Sequence, residues 1–232
     1  SHPLDFFTDL EQCRPQLPIY VGELYYQCHR GTYTSQARTK KGNRRCEFAL
    51  REAEMWGSAA AWMTKNYRYP RLPMDEAWRQ ILLNQFHDII PGSSIARVYE
   101  EAEAGYARVL KEACKTADQA SRKLVKASRH AVTVFNSLSW PRAVLTPLPK
   151  TFRGAADESG KSLATQKIGG TLFAEVPAVP SCGWTTVVAA PAGSAKSALR
   201  VSVDELENEY LRIRLDKQGR MISVRDKETG RE

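Results

Sequence analysis

Apolar side chains recur at helical spacing in three stretches of the first half of the chain. The first stretch, from about residue 42, places on one stripe the residues Cys46, Ala49, Leu50, Ala53, Trp56, Ala60 and Met63. The same spacing predicts a second helix from about Met74 to Ile89 and a third from about Ile95 to Lys126. Because the links between them are short, the three helices predict an up-down-up bundle.

After His130 the pattern changes to short runs of β-branched and aromatic residues. Strands are predicted at 131–135, 143–148, 172–176 and 184–189, with Gly- and Pro-rich turns between them. They predict a small antiparallel β-sandwich. Residues 209–215 and 221–225 predict a hairpin, and Gly193-Ser-Ala-Lys-Ser197 is typical of a linker. The predicted fold is therefore α+β and multidomain, with the helical bundle first and the sandwich after it.

The first forty residues lack a clear helical period. Ile19-Tyr-Val21 predicts a short strand, and residues 22–38 are rich in aromatic and hydroxyl side chains. We interpret residues 22–38 as strand and loop whose polar tips could line a sugar or phosphate site. The structural alternative is a strand surface rich in Tyr and Thr.

The predicted second helix stops abruptly near a histidine and an aspartate. Pro91 lacks an N–H group and disfavours helix at the residue before it, while Gly92 allows the chain to reverse. His87 and Asp88 then fall in the last turn before this stop. An imidazole beside a carboxylate at a chain reversal suits chemistry, and the alternative is a partly buried histidine bonded to a local carbonyl group.

Charge and cysteine usage narrow the function classes. The net charge is +8, with its densest positive patch at residues 38–45, but zinc-finger spacing and RNA-binding sheet motifs are missing, so we expect no nucleic-acid partner. The five cysteines are scattered and never form C-x-x-C, which suits a reducing, cytoplasmic compartment. Apolar runs fall short of membrane-spanning length, so we expect no membrane partner. The chain starts without Met, and we expect it to be a piece of a longer protein.

Four motifs carry a resemblance to a known enzyme family. They are GELYYQCHRGTYTSQARTKKGNRR at 22–45, NQFHDIIPGSSI at 84–95, VFNSLSW at 134–140 and LENEYLRIRLDKQGRMISVRDKETGRE at 206–232. In this order they resemble the middle of an α-mannosidase of glycoside hydrolase family 38, of the bacterial and cytosolic/vacuolar type. The resemblance implies four regions: the end of an α/β catalytic domain at 1–42, a three-helix middle domain at 43–128, a small β-sandwich at 129–193 and the start of a C-terminal β-sandwich at 194–232.

The resemblance also implies a zinc site. In this family a His-x-Asp pair, a further Asp that is also the nucleophile, and a His of the middle domain hold the ion. His87 matches that last ligand, and Asp88 matches an Asp that binds substrate hydroxyls. Zinc accepts imidazole and carboxylate ligands and can leave a position open for sugar oxygens. Retention of configuration needs a nucleophile and an acid/base partner about 5 Å apart.

The chain departs from the family pattern in its catalytic residues. None of its four histidines lies in His-x-Asp, and the nucleophile region is absent, so the zinc site is incomplete and we expect the isolated chain to be inactive. Gln27 stands where many relatives carry Glu, and an amide cannot act as a general acid. Glu23 is a candidate acid. By analogy the sugar would be faced by His29, Arg30, Tyr33 and Thr34, and a structural role is the alternative.

The sequence thus predicts part of a zinc-dependent, retaining α-mannosidase that removes terminal α-linked mannose from oligosaccharides. A homo-oligomer of the full-length enzyme is also compatible with the resemblance. The alternative is a non-catalytic module of helical bundle and β-sandwich that binds carbohydrate or protein. That alternative draws support from the charge of +8 and from the incomplete catalytic set.

Overall fold

The computed structural model describes residues 2–24, 27–193 and 199–232. The helices are α1 (Pro3–Cys13), a 3₁₀ helix (Gln27–Tyr33), α2 (Ala37–Met63), α3 (Arg71–Asn84) and α4 (Ala96–Leu124). The strands are β1 (Ala131–Asn136), β2 (Arg142–Pro147), β3 (Gly154–Ala156), β4 (Thr165–Ile168), β5 (Thr171–Val179), β6 (Gly183–Ala190), β7 (Arg200–Val201), β8 (Glu205–Glu207), β9 (Leu211–Leu215) and β10 (Met221–Asp226).

The described residues form two compact units. The first comprises the residues up to Leu50 together with Leu72–Glu112, and the second comprises Arg51–Arg71 together with the residues from Ala113 onward. The predicted α+β class is confirmed, because helices fill the first half and antiparallel sheets the second. The up-down-up arrangement and the domain boundaries after residues 42, 128 and 193 stay predictions.

The N-terminal residues differ from the prediction. Helix α1 begins at Pro3, and its first turn is capped because the Asp5 carboxylate accepts a hydrogen bond from the His2 amide at 2.9 Å. The strand predicted at Ile19–Val21 is wrong, because this segment has no regular secondary structure and no partner strand in the described chain, and Ile19 and Val21 are 93% and 91% exposed. Tyr25, Tyr26 and most of the predicted linker lie outside the described residues.

Residues 27–38 also differ from the predicted strand and loop. They form the 3₁₀ helix, a turn, and the first residues of α2, which begins at Ala37. Gln36 has a positive φ of 52°, so the chain changes direction just before α2 begins. The long α4 matches its predicted limits within two residues at each end.

The core of the first unit is formed by buried side chains of α2, α3 and α4, namely Cys46, Ala49, Leu50, Met74, Ala77, Ile81, Tyr99, Ala102, Tyr106 and Val109. Helices α2 and α4 approach closely at Gly42, where a Cβ atom would lie 2.6 Å from Cδ2 of Tyr106. The Cys46 thiol donates a hydrogen bond to the Tyr106 carbonyl at 3.3 Å. Glycine is therefore required at this contact because the ring occupies the space of a side chain.

The second unit contains the predicted sandwich. Its two sheets have the strand orders β1-β6-β3 and β2-β5-β4, and all pairings are antiparallel. Both sheets bury side chains in one core, formed by Val134, Leu148, Phe152, Ala155, Leu163, Ala174, Val176, Val179 and Val187. A further sheet has the order β10-β9-β8-β7, and its β9–β10 pair is the predicted hairpin.

Within this second unit, α2 is anchored by residues of the VFNSLSW motif. The Trp56 ring packs edge-on against Phe135, with centroids 5.0 Å apart. Arg51 donates a hydrogen bond to the Ser137 carbonyl at 2.7 Å, and the Ser137 hydroxyl donates one to Glu52 at 2.6 Å. Asn136 is buried, and its amide donates to three carbonyl groups.

In the part of the chain that the structure describes, the helices are too short or too polar to cross a membrane.

We predict that Gly42→Ala lowers the free energy of unfolding by about 1–3 kcal/mol, because the added methyl group overlaps the Tyr106 ring. Urea unfolding followed by circular dichroism measures the loss. Gly105→Ala in α4 is the matched control. Its Cβ would lie 3.4 Å from the Gln80 amide nitrogen, so improved helix propensity of up to about 1 kcal/mol should make it neutral or stabilising. Equal stabilities for both variants would contradict the packing argument.

Candidate functional site

The loop after α3, residues 85–95, carries His87 and Asp88. Helix α3 ends at Asn84, so neither residue lies in the last helical turn, and that expectation is wrong. The Phe86 carbonyl accepts the amides of Ile89 and Ile90 at 2.9 and 3.1 Å, which winds the loop into tight turns. Pro91 would allow the helix to continue as far as about residue 89. The helix ends earlier, and the backbone hydrogen bonds of these turns follow it instead.

His87 and Asp88 are neighbours at the surface of the loop. The His87 Nε2 and Asp88 Oδ2 atoms are 3.6 Å apart, and the two side chains are 77% and 65% exposed. The Phe86 ring lies beside the imidazole, with centroids 4.6 Å apart. The imidazole is therefore directed away from the core of its unit and is accessible to a group outside it.

A row of polar side chains on α2 holds the start of the loop. We call Lys40, Asn43 and Glu47 the polar stripe, since their i, i+3, i+7 spacing places them on one helix face. The Gln85 amide donates to Asn43 Oδ1 at 3.1 Å and to Glu47 Oε1 at 2.9 Å. The first loop residue is thus fixed to α2.

Lys40, the remaining member of the polar stripe, holds the loop at Ile90. Its ammonium group donates to the Ile90 carbonyl at 2.8 Å and to the Ser35 carbonyl at 2.5 Å. Burial lowers the pKa of Lys40 from its ordinary value. Gly92, with φ of +95°, packs so closely on Ser35 that a Cβ would lie 2.7 Å from the Ser35 Cβ. The loop is therefore seated against the segment that precedes α2.

The far end of the loop closes on itself and on α4. The Ser94 hydroxyl donates to the Asp88 carbonyl. The Ser94 amide donates to the Tyr99 hydroxyl at 2.6 Å. Together with the bonds from α2, these contacts fix the backbone on both sides of His87.

The other predicted site residues lie before α2. His29, Arg30 and Tyr33 belong to the 3₁₀ helix, and Thr34 follows it, all exposed. The Thr32 hydroxyl donates to the His29 carbonyl at 2.6 Å, which tightens this helix. Glu23 is an exposed residue in the irregular segment before it. The roles proposed for these residues stay predictions.

The donor chemistry of the loop fits one part of a zinc site. An imidazole and an adjacent carboxylate are ligand types that zinc accepts, whereas a complete site has three or four protein ligands. Among the described residues, there is no cluster of three His, Cys, Asp or Glu side chains able to hold a metal ion. Any metal at His87 would therefore need donors from polypeptide other than these residues.

Sequence reasoning missed the residues that support the loop. Lys40 and Asn43 lie in the segment interpreted as the densest positive patch, and Glu47 and Gln85 received no role. The signal that could have found them is the spacing of Lys40, Asn43 and Glu47 along one face of a predicted helix. Two of these partners lie 42 and 50 residues further along the chain, and local pattern does not show such pairings.

Tyr106 of α4 is a buried tyrosine whose pKa is strongly raised. The Tyr106 hydroxyl is buried without a hydrogen bond of ordinary geometry, as is the amide nitrogen of Asn84, the last residue of α3. Burial raises the pKa of Tyr106 to about 12, although the nearby Asn84 amide opposes the shift. The neutral phenol is thus favoured in the folded state.

The family model and the relatives that match this chain are all described as α-mannosidases. A family model described as the α-mannosidase middle domain matches residues 27–124. Human alpha-mannosidase 2C1 is 32% identical over an alignment of 244 residues, which covers all of this chain and 22% of that protein. Alpha-mannosidase G of Dictyostelium discoideum is 48% identical over 115 residues, covering 50% of this chain and 10% of that protein. The chain therefore spans less than a quarter of these relatives.

Solved structures share the fold. A glycosyl hydrolase family 38 protein from Enterococcus faecalis superposes with a TM-score of 0.69 at 19% identity, covering 99% of this chain and 33% of that chain. An alpha-mannosidase from Enterococcus faecalis V583 gives a TM-score of 0.69 at 18% identity, covering 98% and 33%. At these identities the match supports the arrangement of helices and sheets.

We predict that the protein loses stability between about pH 9 and pH 11 through Tyr106, by about 1 kcal/mol. A folded pKa of about 12 lies above the unfolded value, so the stabilisation is complete below the unfolded pKa and is lost as pH rises through the folded pKa. Urea unfolding at the two pH values measures the loss. Tyr106→Phe, compared under the same conditions, should lose about 1 kcal/mol less; an identical loss in both proteins would refute the assignment.

Proposed function

We propose that this chain, which belongs to glycoside hydrolase family 38, is part of a zinc-dependent, retaining α-mannosidase and supplies one of its zinc ligands, His87. The single observation that carries the proposal is an imidazole that is 77% exposed on a loop fixed at both ends. A metal ligand must be accessible to the ion and held in place, and His87 meets both requirements. The α-mannosidase names of the relatives support the substrate class, terminal α-linked mannose on oligosaccharides.

In the proposed site, His87 would hold zinc through a ring nitrogen, with the remaining donors supplied by polypeptide other than the described residues. Zinc, when bound there, would act as a Lewis acid toward sugar hydroxyl groups, and the 2- and 3-hydroxyls of mannose, which lie on the same side of the ring, could approach one cation together. Asp88 would accept hydrogen bonds from sugar hydroxyls. Its carboxylate lies 3.6 Å from the imidazole, so both side chains can address neighbouring groups of one sugar.

Cleavage of the glycosidic bond needs two further groups, a nucleophile and a general acid. A retaining glycosidase needs a carboxylate nucleophile and an acid/base partner about 5 Å apart. The nucleophile is proposed to lie outside this chain. Glu23 is a candidate for the acid because Gln27 cannot donate a proton, and the 3₁₀ helix residues His29, Arg30 and Tyr33 would contact the sugar. Among the described residues, none of the five cysteines is joined in a disulfide, which supports a cytoplasmic enzyme.

We predict that His87→Ala in the full-length protein abolishes most zinc binding and lowers kcat/KM for an aryl α-mannoside at least about 100-fold, because a metal ligand is lost. Zinc content by atomic emission spectroscopy and initial rates measure the two effects. His130→Ala is the matched control, since His130 is an exposed histidine just before β1, outside the loop. Retention of zinc and rate by the His87 variant would sink the proposal.

We also predict that the isolated 232-residue chain does not hydrolyse an aryl α-mannoside when zinc is added. The described residues lack a complete metal-ligand set, and the nucleophile lies elsewhere in this proposal. Release of the aryl group, followed by absorbance, measures turnover. Clear zinc-dependent turnover would contradict the prediction, whereas zinc-independent binding of mannose oligosaccharides would favour the alternative of a non-catalytic binding module.

A further inference from the structure

We propose that the polar stripe of α2 positions His87 for its metal, so that Lys40, Asn43 and Glu47 act through the loop rather than on the substrate. This inference rests on the proposed function. It assigns a role to the basic segment before and within α2, which the proposed function leaves unused.

The first step of the argument is the carboxylate of Glu47, whose two oxygens are both occupied. Oε1 accepts the Asn43 amide at 2.7 Å and the Gln85 amide at 2.9 Å, while Oε2 accepts Arg44 at 2.5 Å. The side chain is only 22% exposed, so these bonds compensate for lost hydration. Gln85 is thereby tied to α2 immediately before Phe86 and His87.

The second step is the bond on the other side of His87. Lys40 donates to the Ile90 carbonyl at 2.8 Å, and its half-buried ammonium group also binds the Ser35 carbonyl. Residues 85 and 90 are thus both attached to the same face of α2. A short segment held at two points on a rigid helix has little freedom to shift, so the position of the intervening His87 backbone follows from α2.

The third step is the exposure of the His87 side chain, which is 77%. Its described neighbours are the Phe86 ring and the Asp88 carboxylate, both on the same loop. An exposed side chain with such neighbours moves with its backbone. Metal sites require ligands placed within about 0.5 Å, and groups that orient ligands typically contribute 10- to 100-fold in metal affinity. The polar stripe is the structure that can supply this placement.

The alternative is a purely structural role, in which the polar stripe joins α2 to the end of α3 without influencing the metal. Arg44 separates the two roles. It binds the same Glu47 carboxylate through the other oxygen, its side chain is 66% exposed, and this bond lies within α2 rather than joining α2 to the loop. Removing Arg44 perturbs Glu47 and α2 while leaving the bonds to Gln85 and Lys40 in place.

The test compares Gln85→Met, Lys40→Met and Arg44→Met in the full-length protein. Methionine is close in length to glutamine and lysine, is shorter than arginine, and removes the donors. Zinc dissociation constants by chelator competition should rise about 10- to 100-fold for Gln85→Met and Lys40→Met, and stay within about twofold for Arg44→Met. Thermal unfolding and backbone amide exchange at residues 86–90 are measured for each variant. Faster exchange in this segment alone is expected for the first two variants.

Three results would overturn the inference. Unchanged zinc affinity in Gln85→Met and Lys40→Met is the first, and equal loss in Arg44→Met is the second. The third is weakened affinity accompanied by exchange that rises throughout the first unit, which indicates general destabilisation. His87→Ala distinguishes the inference from its premise: if that variant keeps its zinc, the proposed function fails, whereas loss there with full affinity in Gln85→Met rejects only the positioning role.

Discussion

The hydrogen bonds of the Glu47 carboxylate are the interaction on which the loop geometry depends. A partly buried carboxylate that loses its hydrogen-bond partners is left with incomplete hydration, so its network tends to form as a whole. Gln85 can reach both Asn43 and Glu47 only when the end of α3 lies against α2. One polar network therefore selects the helix packing and the start of the loop together.

That network is possible because the surrounding helices approach closely. Gly42 lies directly before Asn43 and allows the Tyr106 ring to contact the α2 backbone. The cost is visible beside it, where the hydroxyl of Tyr106 and the amide nitrogen of Asn84 are buried without good partners. Tight apolar packing and a compensated polar stripe on the same helix produce a rigid support beneath an exposed loop tip.

Sequence pattern predicted the long elements well and the short ones poorly. Helix α4 and the β9–β10 pair were predicted closely, because each offers many periodic positions. Strands β3 and β7, of three and two residues, are too short to show alternation. The early end of α3 coincides with the turns in which the Phe86 carbonyl accepts the amides of Ile89 and Ile90, and local propensity did not predict them. His87 itself was singled out by resemblance, whereas spacing left its role open.

The motifs that carried the resemblance divide into different physical roles. In the second unit, VFNSLSW contributes Phe135 to the ring contact with Trp56, and Asn136 and Ser137 to hydrogen bonds with sandwich carbonyls and with α2. Phe135, Asn136 and Ser137 therefore serve packing and anchoring. In the first unit, the motif at 84–95 leaves His87 and Asp88 exposed, while Gln85 and Ile90 on either side are hydrogen-bonded to α2. Because a recognisable motif can serve either purpose, exposure combined with a fixed backbone distinguishes residues available for chemistry from those that maintain the fold.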